Sequence, residues 1–176
     1  MSWDMTWKTC LVTTLAAATA SLCVTPTFAQ IDRLERTYRP IIVVAEASND
    51  PVLDDIRIVL RQSRDALADR DVMVITVVGD DVTAWDPALD EAPGHSFDAT
   101  RLRTSYGQAG APISITLVGK DGGIKDRGTV PSDIQDMVDL IDTMPMRQRE
   151  IEDREREMER REEIENRMWG GETFGR

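Results

Sequence analysis

Two continuous β-branched runs, Ile41-Ile42-Val43-Val44-Ala45 and Val72-Met73-Val74-Ile75-Thr76-Val77-Val78, constrain this chain more than any other feature. Neither alternates between apolar and polar residues. Each therefore needs cover on both faces, the situation of a central strand with helices above and below. Between them Leu53, Ile56, Leu60, Ser63 and Leu67 recur at three- and four-residue spacing, with Val59 widening the stripe. That spacing predicts an amphipathic helix opened by Pro51 and capped by Asn49 or Asp50. Strand, helix, strand is a βαβ unit with parallel strands, because the returning helix brings the chain back to the starting edge.

Downstream, the periodicity lapses from Asp80 to Gly94, which reads as a long acidic connection around Trp85 and Leu89. Thr100 to Tyr106 reads as a short helix. Pro112 opens a strand over Ile113 to Val118, and Lys120-Asp121-Gly122-Gly123 predicts a tight hairpin with positive φ at both central residues. A short strand from Gly123 to Arg127 follows, pairing antiparallel with the one before it. Pro131 with Ile134, Met137, Val138 and Ile141 marks a second amphipathic helix, interrupted near Met144-Pro145. From Arg147 to Arg167 arginines and acids fill nearly every position. The acid-before-base pairs Glu150/Arg154, Glu152/Arg156, Glu157/Arg161 and Glu163/Arg167, each four residues apart, predict a solvated helical rod.

The chain begins in the pattern of a secretory leader: Lys8, an apolar stretch from Cys10 to Val24, then Thr27-Phe28-Ala29 before Gln30. Cleavage there divides it into a signal peptide, 1–29, a domain, 30–146, and a charged helical tail, 147–176. The expected location is the periplasm or the exterior, with no membrane attachment after cleavage. Both cysteines, Cys10 and Cys23, lie in the leader, so the processed chain is expected to hold no thiol for disulfides, nucleophilic chemistry or zinc. A net charge of −11 repels phosphate backbones and argues against a nucleic-acid partner.

The order strand, helix, strand, connection, proline-led strand, hairpin, helix is that of a thioredoxin-like α/β fold, a mixed sheet flanked by helices, here with a long charged C-terminal helical extension. The stretch Tyr106-Gly107-Gln108-Ala109-Gly110-Ala111-Pro112-Ile113 looks like the approach to the cis-proline strand of that superfamily. Leu117-Val118-Gly119-Lys120-Asp121-Gly122-Gly123-Ile124-Lys125, together with Ile141-Asp142-Thr143-Met144-Pro145-Met146-Arg147-Gln148-Arg149-Glu150, resembles the DUF4174 family over roughly residues 36 to 150. That is an uncharacterised family of exported bacterial domains, similar to modules of animal extracellular matrix proteins and distantly akin to peroxiredoxins. The resemblance implies a thioredoxin-like domain outside the cytoplasm and supplies no reaction.

Where a redox relative carries its reactive cysteine, after the first strand, this chain has Glu46-Ala47-Ser48-Asn49-Asp50. A serine hydroxyl without a strong adjacent base is no substitute for a thiolate. The only histidine, His95, sits in the acidic connection, and no Gly-x-Ser-x-Gly elbow is present. Glu46, Ser48, Asn49 and Asp50, with Pro112 expected nearby, form a candidate ligand-binding edge at the end of the first strand. Lys120, Asp121 and Lys125 form a second candidate, with Arg127 making a largely basic hairpin able to hold an anion or an acidic surface. The alternative is helix capping in the first case and guarding of a strand edge by lysine in the second. Asp80, Asp81, Asp86, Asp90 and Glu91 lack the oxygen-donor spacing of a calcium loop. The uneven gaps of Met144, Met146, Met158 and Met168 suit packing better than soft-metal binding. No cofactor or metal is expected. The expectation is a non-catalytic binding or interaction module for an unknown protein or small-molecule partner. Its rivals are an enzyme joining Glu46 to Asp50 with Lys120 or Arg101, or a degenerate peroxiredoxin-like oxidoreductase.

Overall fold

The computed structural model describes residues 31, 34–92, 94 and 96–169. The leader with both cysteines, His95 and the Gly170-Gly171 pair lie outside the described residues. The two β-branched runs form β1, Arg39–Ala45, and β2, Val72–Val78, paired in parallel from Arg39↔Val72 to Ala45↔Val78. The helical stripe between them splits in two, α1 over Pro51–Gln62 and α2 over Arg64–Asp69, with Ser63 at the junction. Asp50 caps α1, its carboxylate accepting the Val52 N–H at 2.9 Å. Leu53, Ile56, Leu60 and Leu67 are buried, as the spacing requires.

The acidic connection departs from expectation. Gly79, at φ +56°, turns the chain back, and Asp81–Trp85 forms a strand, β3, antiparallel to β2. Its alternation is real: Val82 and Ala84 pack on one face and Trp85 on the other. Asp98 then caps α3, Ala99–Tyr106, with Ala99, Leu102 and Tyr106 turned inward. β4, Ile113–Val118, pairs antiparallel with β1, and β5, Ile124–Gly128, with β4. The sheet order is β3-β2-β1-β4-β5.

The β4–β5 turn is wider than a two-residue hairpin. Gly119 accepts from the N–H of Gly122 and donates to the carbonyl of Gly123, so Lys120 and Asp121 are the central residues. Among the described residues of this loop only Gly122, at φ +73°, is left-handed. The expected positive φ at two positions is therefore corrected to one, the pattern of an ordinary turn closed by a left-handed glycine.

Two helix layers enclose the sheet. Ile41, Val43 and Ala45 face α1, α2 and α4, the last spanning Asp133–Asp142, while Ile42 and Val44 face α3 and the segment holding Ile31 and Leu34. This two-sided burial is why β1 and β2 read as unbroken apolar runs. The molecule is thus an α/β sandwich with a five-stranded mixed sheet, consistent with the thioredoxin-like class. α5, Pro145–Trp169, follows α4 after Thr143 and Met144. Its outer turns are exposed, but Arg147 is only 3% exposed. The root of this helix is thus docked on the domain, where the charge pattern alone predicts a solvated rod.

Candidate functional site

The two candidate groups occupy opposite ends of the sheet. Glu46 follows the last residue of β1, and its N–H donates to the Pro112 carbonyl at 3.2 Å, so the loop and the proline do meet. Glu46, Ser48, Asn49 and Pro112 are exposed, and the Asp50 carboxylate is occupied as a helix cap. The described peptide bonds are all trans, which corrects the cis geometry that the superfamily resemblance implies before Pro112. Lys120 lies beyond the far end of β4, next to the start of β1. The six residue steps of β1 from Arg39 to Ala45 separate the groups by roughly 20 Å at ~3.3 Å per residue. Glu46 and Asp50 therefore do not share a site with Lys120. Arg101 is exposed on α3, and among the described residues it makes no ion pair with either acid.

At the hairpin end the chain builds something the sequence did not announce. Arg39, the first residue of β1, is 1% exposed. Its guanidinium donates to the Arg70 carbonyl at 2.8 Å and to both Glu150 oxygens at 3.0 and 3.1 Å. Lys120, 8% exposed, donates to Asp71 at 2.8 Å and to Glu150 at 2.7 Å. Arg147 reaches the carbonyl and the carboxylate of Asp69. Arg70 holds Asp142 through a 2.9 Å bond to one oxygen and a second bond to the other. Four chain segments, the start of β1, the α2–β2 junction, the hairpin and the α4–α5 corner, are thus latched by one charge network. Every buried side-chain nitrogen and oxygen among the described residues has a partner, the condition for burying charge without a large penalty.

The electrostatics follow from this packing. Burial pushes the Glu150 carboxyl up, but hydrogen bonds from Arg39 and Lys120 and their charges outweigh it, leaving the pKa below its ordinary value. Asp69 behaves the same way, with Arg154 and Arg147 overriding its burial. The Arg70 bonds hold the Asp142 carboxyl low against a smaller burial effect. Asp121 is lowered chiefly by its Lys125 partner, again against burial, with the Gly123 N–H assisting.

Against this network lies a cleft of about 450 Å³ between the hairpin and the α4–α5 corner. Leu140, Met144, Pro145 and Met146 supply an apolar wall, and Lys120, Asp121 and Lys125 the hairpin side. All three hairpin candidates therefore line one cavity. Lys120 is not available to grip an anion, since two carboxylates hold it, and Lys125 is paired with Asp121. Among the described residues no group of three or more His, Cys, Asp or Glu side chains could hold a metal. The acids of the connection are dispersed: Asp86 is buried, accepting from the Tyr38 hydroxyl and the Ala88 N–H, while Asp90 accepts from the Trp85 indole. Met144 packs against the core, whereas Met158 and Met168 are exposed on α5.

The sequence reading missed Arg39, Arg70, Asp71, Arg147 and Glu150. The one available signal was an arginine immediately before a fully apolar strand. Glu150 pairs with Arg39 and Lys120 rather than Arg154, which goes to Asp69. Of the four predicted i,i+4 pairs, Glu157 with Arg161 forms an ion pair.

The family model described as a domain of unknown function (DUF4174) matches residues 30–150. Its last residue is the Glu150 that closes the network. No curated protein and no solved structure matches the chain. No described helix is long and apolar enough to cross a membrane.

Proposed function

We propose that this chain, which belongs to the DUF4174 family, is an exported, non-catalytic binding module that takes a small apolar-bodied molecule in the cleft between the β4–β5 hairpin and the α4–α5 corner. One observation carries the reading. The two stretches by which the chain resembles its family, 117–125 and 141–150, are far apart in sequence, yet both line this cleft and supply its latch. The cleft's charged groups are satisfied internally, so recognition falls to the apolar wall, where Met144 and Met146 adapt to irregular shapes. Export rests on the leader pattern, and the absence of thiol chemistry on the position of both cysteines within it. The version of the enzyme alternative that joins Glu46 or Asp50 to Lys120 is disfavoured by their separation along β1, since an acid–base pair has to lie within hydrogen-bond reach of one substrate.

N-phenyl-1-naphthylamine, an uncharged fluorescent apolar probe, tests the reading. It should bind saturably at one site. Met146→Glu, which puts a charge on the apolar wall at a residue already 42% exposed, should weaken binding roughly tenfold or more, since an unpaired charge is costly against apolar surface. Met158→Glu, on the exposed part of α5, is the control and should change nothing. Equal effects of the two substitutions, or no saturable binding, would remove the cleft from consideration. Turnover of peroxide or a dithiol by the cysteine-free chain would overturn the non-catalytic assignment.

A further inference from the structure

A second cavity, of about 520 Å³, opens on the same face of the sheet at its other edge, between α1 and β3. Its floor is polar at the centre, where Thr76 of β2 and Thr83 of β3 face each other across the ladder. The indole of Trp85, with Val74 and Leu60, forms an apolar end. Arg57 and Arg61 of α1 and Arg64, the first residue of α2, line the helical side, three guanidinium groups in a protein with a net charge of −11. Asp90 and Glu91 complete the lining.

The internal pairing of these groups is uneven. Arg57 is engaged by Asp54, and Arg64 by the Pro87 carbonyl and Asp90. Asp90 also accepts the Trp85 indole N–H. Arg61 and Glu91 remain: among the described residues neither side chain has a hydrogen bond or ion pair, and they do not pair with each other although both line this groove. An uncommitted cation and an uncommitted anion lining one groove, beside an aromatic surface, suit a ligand that carries both charges on a compact head and a flat apolar body.

We propose that this groove binds a free α-amino acid with an aromatic side chain, its carboxylate on Arg61, its ammonium on Glu91 and its ring against Trp85. The site is separate from the α4–α5 cleft and does not depend on that cleft binding anything. The Arg61 guanidinium can offer the carboxylate a bidentate contact. The two threonine hydroxyls supply further acceptors and donors on the floor.

Chemical-shift mapping on ¹⁵N-labelled protein, with L-phenylalanine, 3-phenylpropanoate and phenethylamine as probes, decides the matter. Phenylalanine should shift the amides of Thr76 and Thr83 and the Trp85 indole N–H, and bind roughly tenfold tighter than either singly charged analogue, since each charge-assisted contact adds about that factor. Arg61→Gln should weaken phenylalanine and phenylpropanoate but not phenethylamine; Glu91→Gln should weaken phenylalanine and phenethylamine but not phenylpropanoate. Both positions are exposed, so the fold tolerates the changes. Shifts elsewhere, equal binding of all three probes, or indifference to both substitutions would each overturn the proposal. Met146→Glu should leave this titration unchanged, which keeps the outcome independent of the α4–α5 cleft.

Discussion

Glu150 is the residue on which the hairpin end turns, because one carboxylate answers two nearly buried cations, Arg39 and Lys120. Removing its charge leaves both under-compensated in a low-dielectric setting. Glu150→Gln should therefore destabilise the protein by about 3 kcal/mol near neutral pH, as measured by urea unfolding. The pH dependence has a definite sign. A carboxyl whose folded pKa lies below its unfolded value contributes stability that is complete above the unfolded pKa and is lost as pH falls through the folded one. The gap between wild type and Glu150→Gln should therefore be constant above about pH 5, narrow as pH falls below the unfolded carboxyl pKa of about 4.3, and vanish only below the folded pKa. A gap that persists undiminished at pH 3 would mean that Glu150 acts through packing alone. Gly122, at φ +73°, makes a smaller and independent test. Gly122→Ala should cost about 1–2 kcal/mol in the same assay through left-handed strain, and an unchanged midpoint would contradict the turn described above.

At the scale of elements, legibility followed periodicity. β1, β2, α1 and α4 were readable because their apolar spacing is set by two-sided burial or by a single helical face, and Ile134, Met137, Val138 and Ile141 are all buried as that spacing required. β3 was not readable as a strand. It lies at the sheet edge, its Asp81 and Thr83 are exposed, and the apolar half of its alternation is only Val82 and Ala84, with Trp85 on the other face. The latch was equally hidden, since Arg39 and Glu150 are 111 residues apart and an ion pair between distant positions leaves no periodic trace. α5 divides into two parts by the same reasoning. Its root carries buried Arg147, while its outer turns are held by exposed pairs such as Arg160 with Glu157. Replacing Arg160 and Arg161 together by alanine should change global stability by less than about 0.5 kcal/mol, because exposed pairs contribute little. A larger loss in thermal unfolding would place the outer turns in contact with the body.

For the molecule as a whole, the two ends of the sheet have different characters. The end formed by Glu46 to Asp50 and Pro112 is exposed, with its one capping carboxylate committed to α1. The other end is where chain segments converge, and there the sequence had singled out Lys120, Asp121 and Lys125 without showing that Lys120 faces inward. Two truncations test the central claim, that the paired family stretches form one latched, ligand-receiving unit ending at Glu150. Ending the chain after Glu150 removes the exposed Arg154–Asp69 pair and should lower Tm by only about 3 °C or less, with probe binding in the cleft intact. Ending it after Met146 removes Arg147 and Glu150 while keeping every apolar residue of the cleft wall, and should lower Tm by more than about 10 °C and abolish probe binding. A chain ending at Met146 that melts with the full-length protein and binds N-phenyl-1-naphthylamine equally well would contradict the account.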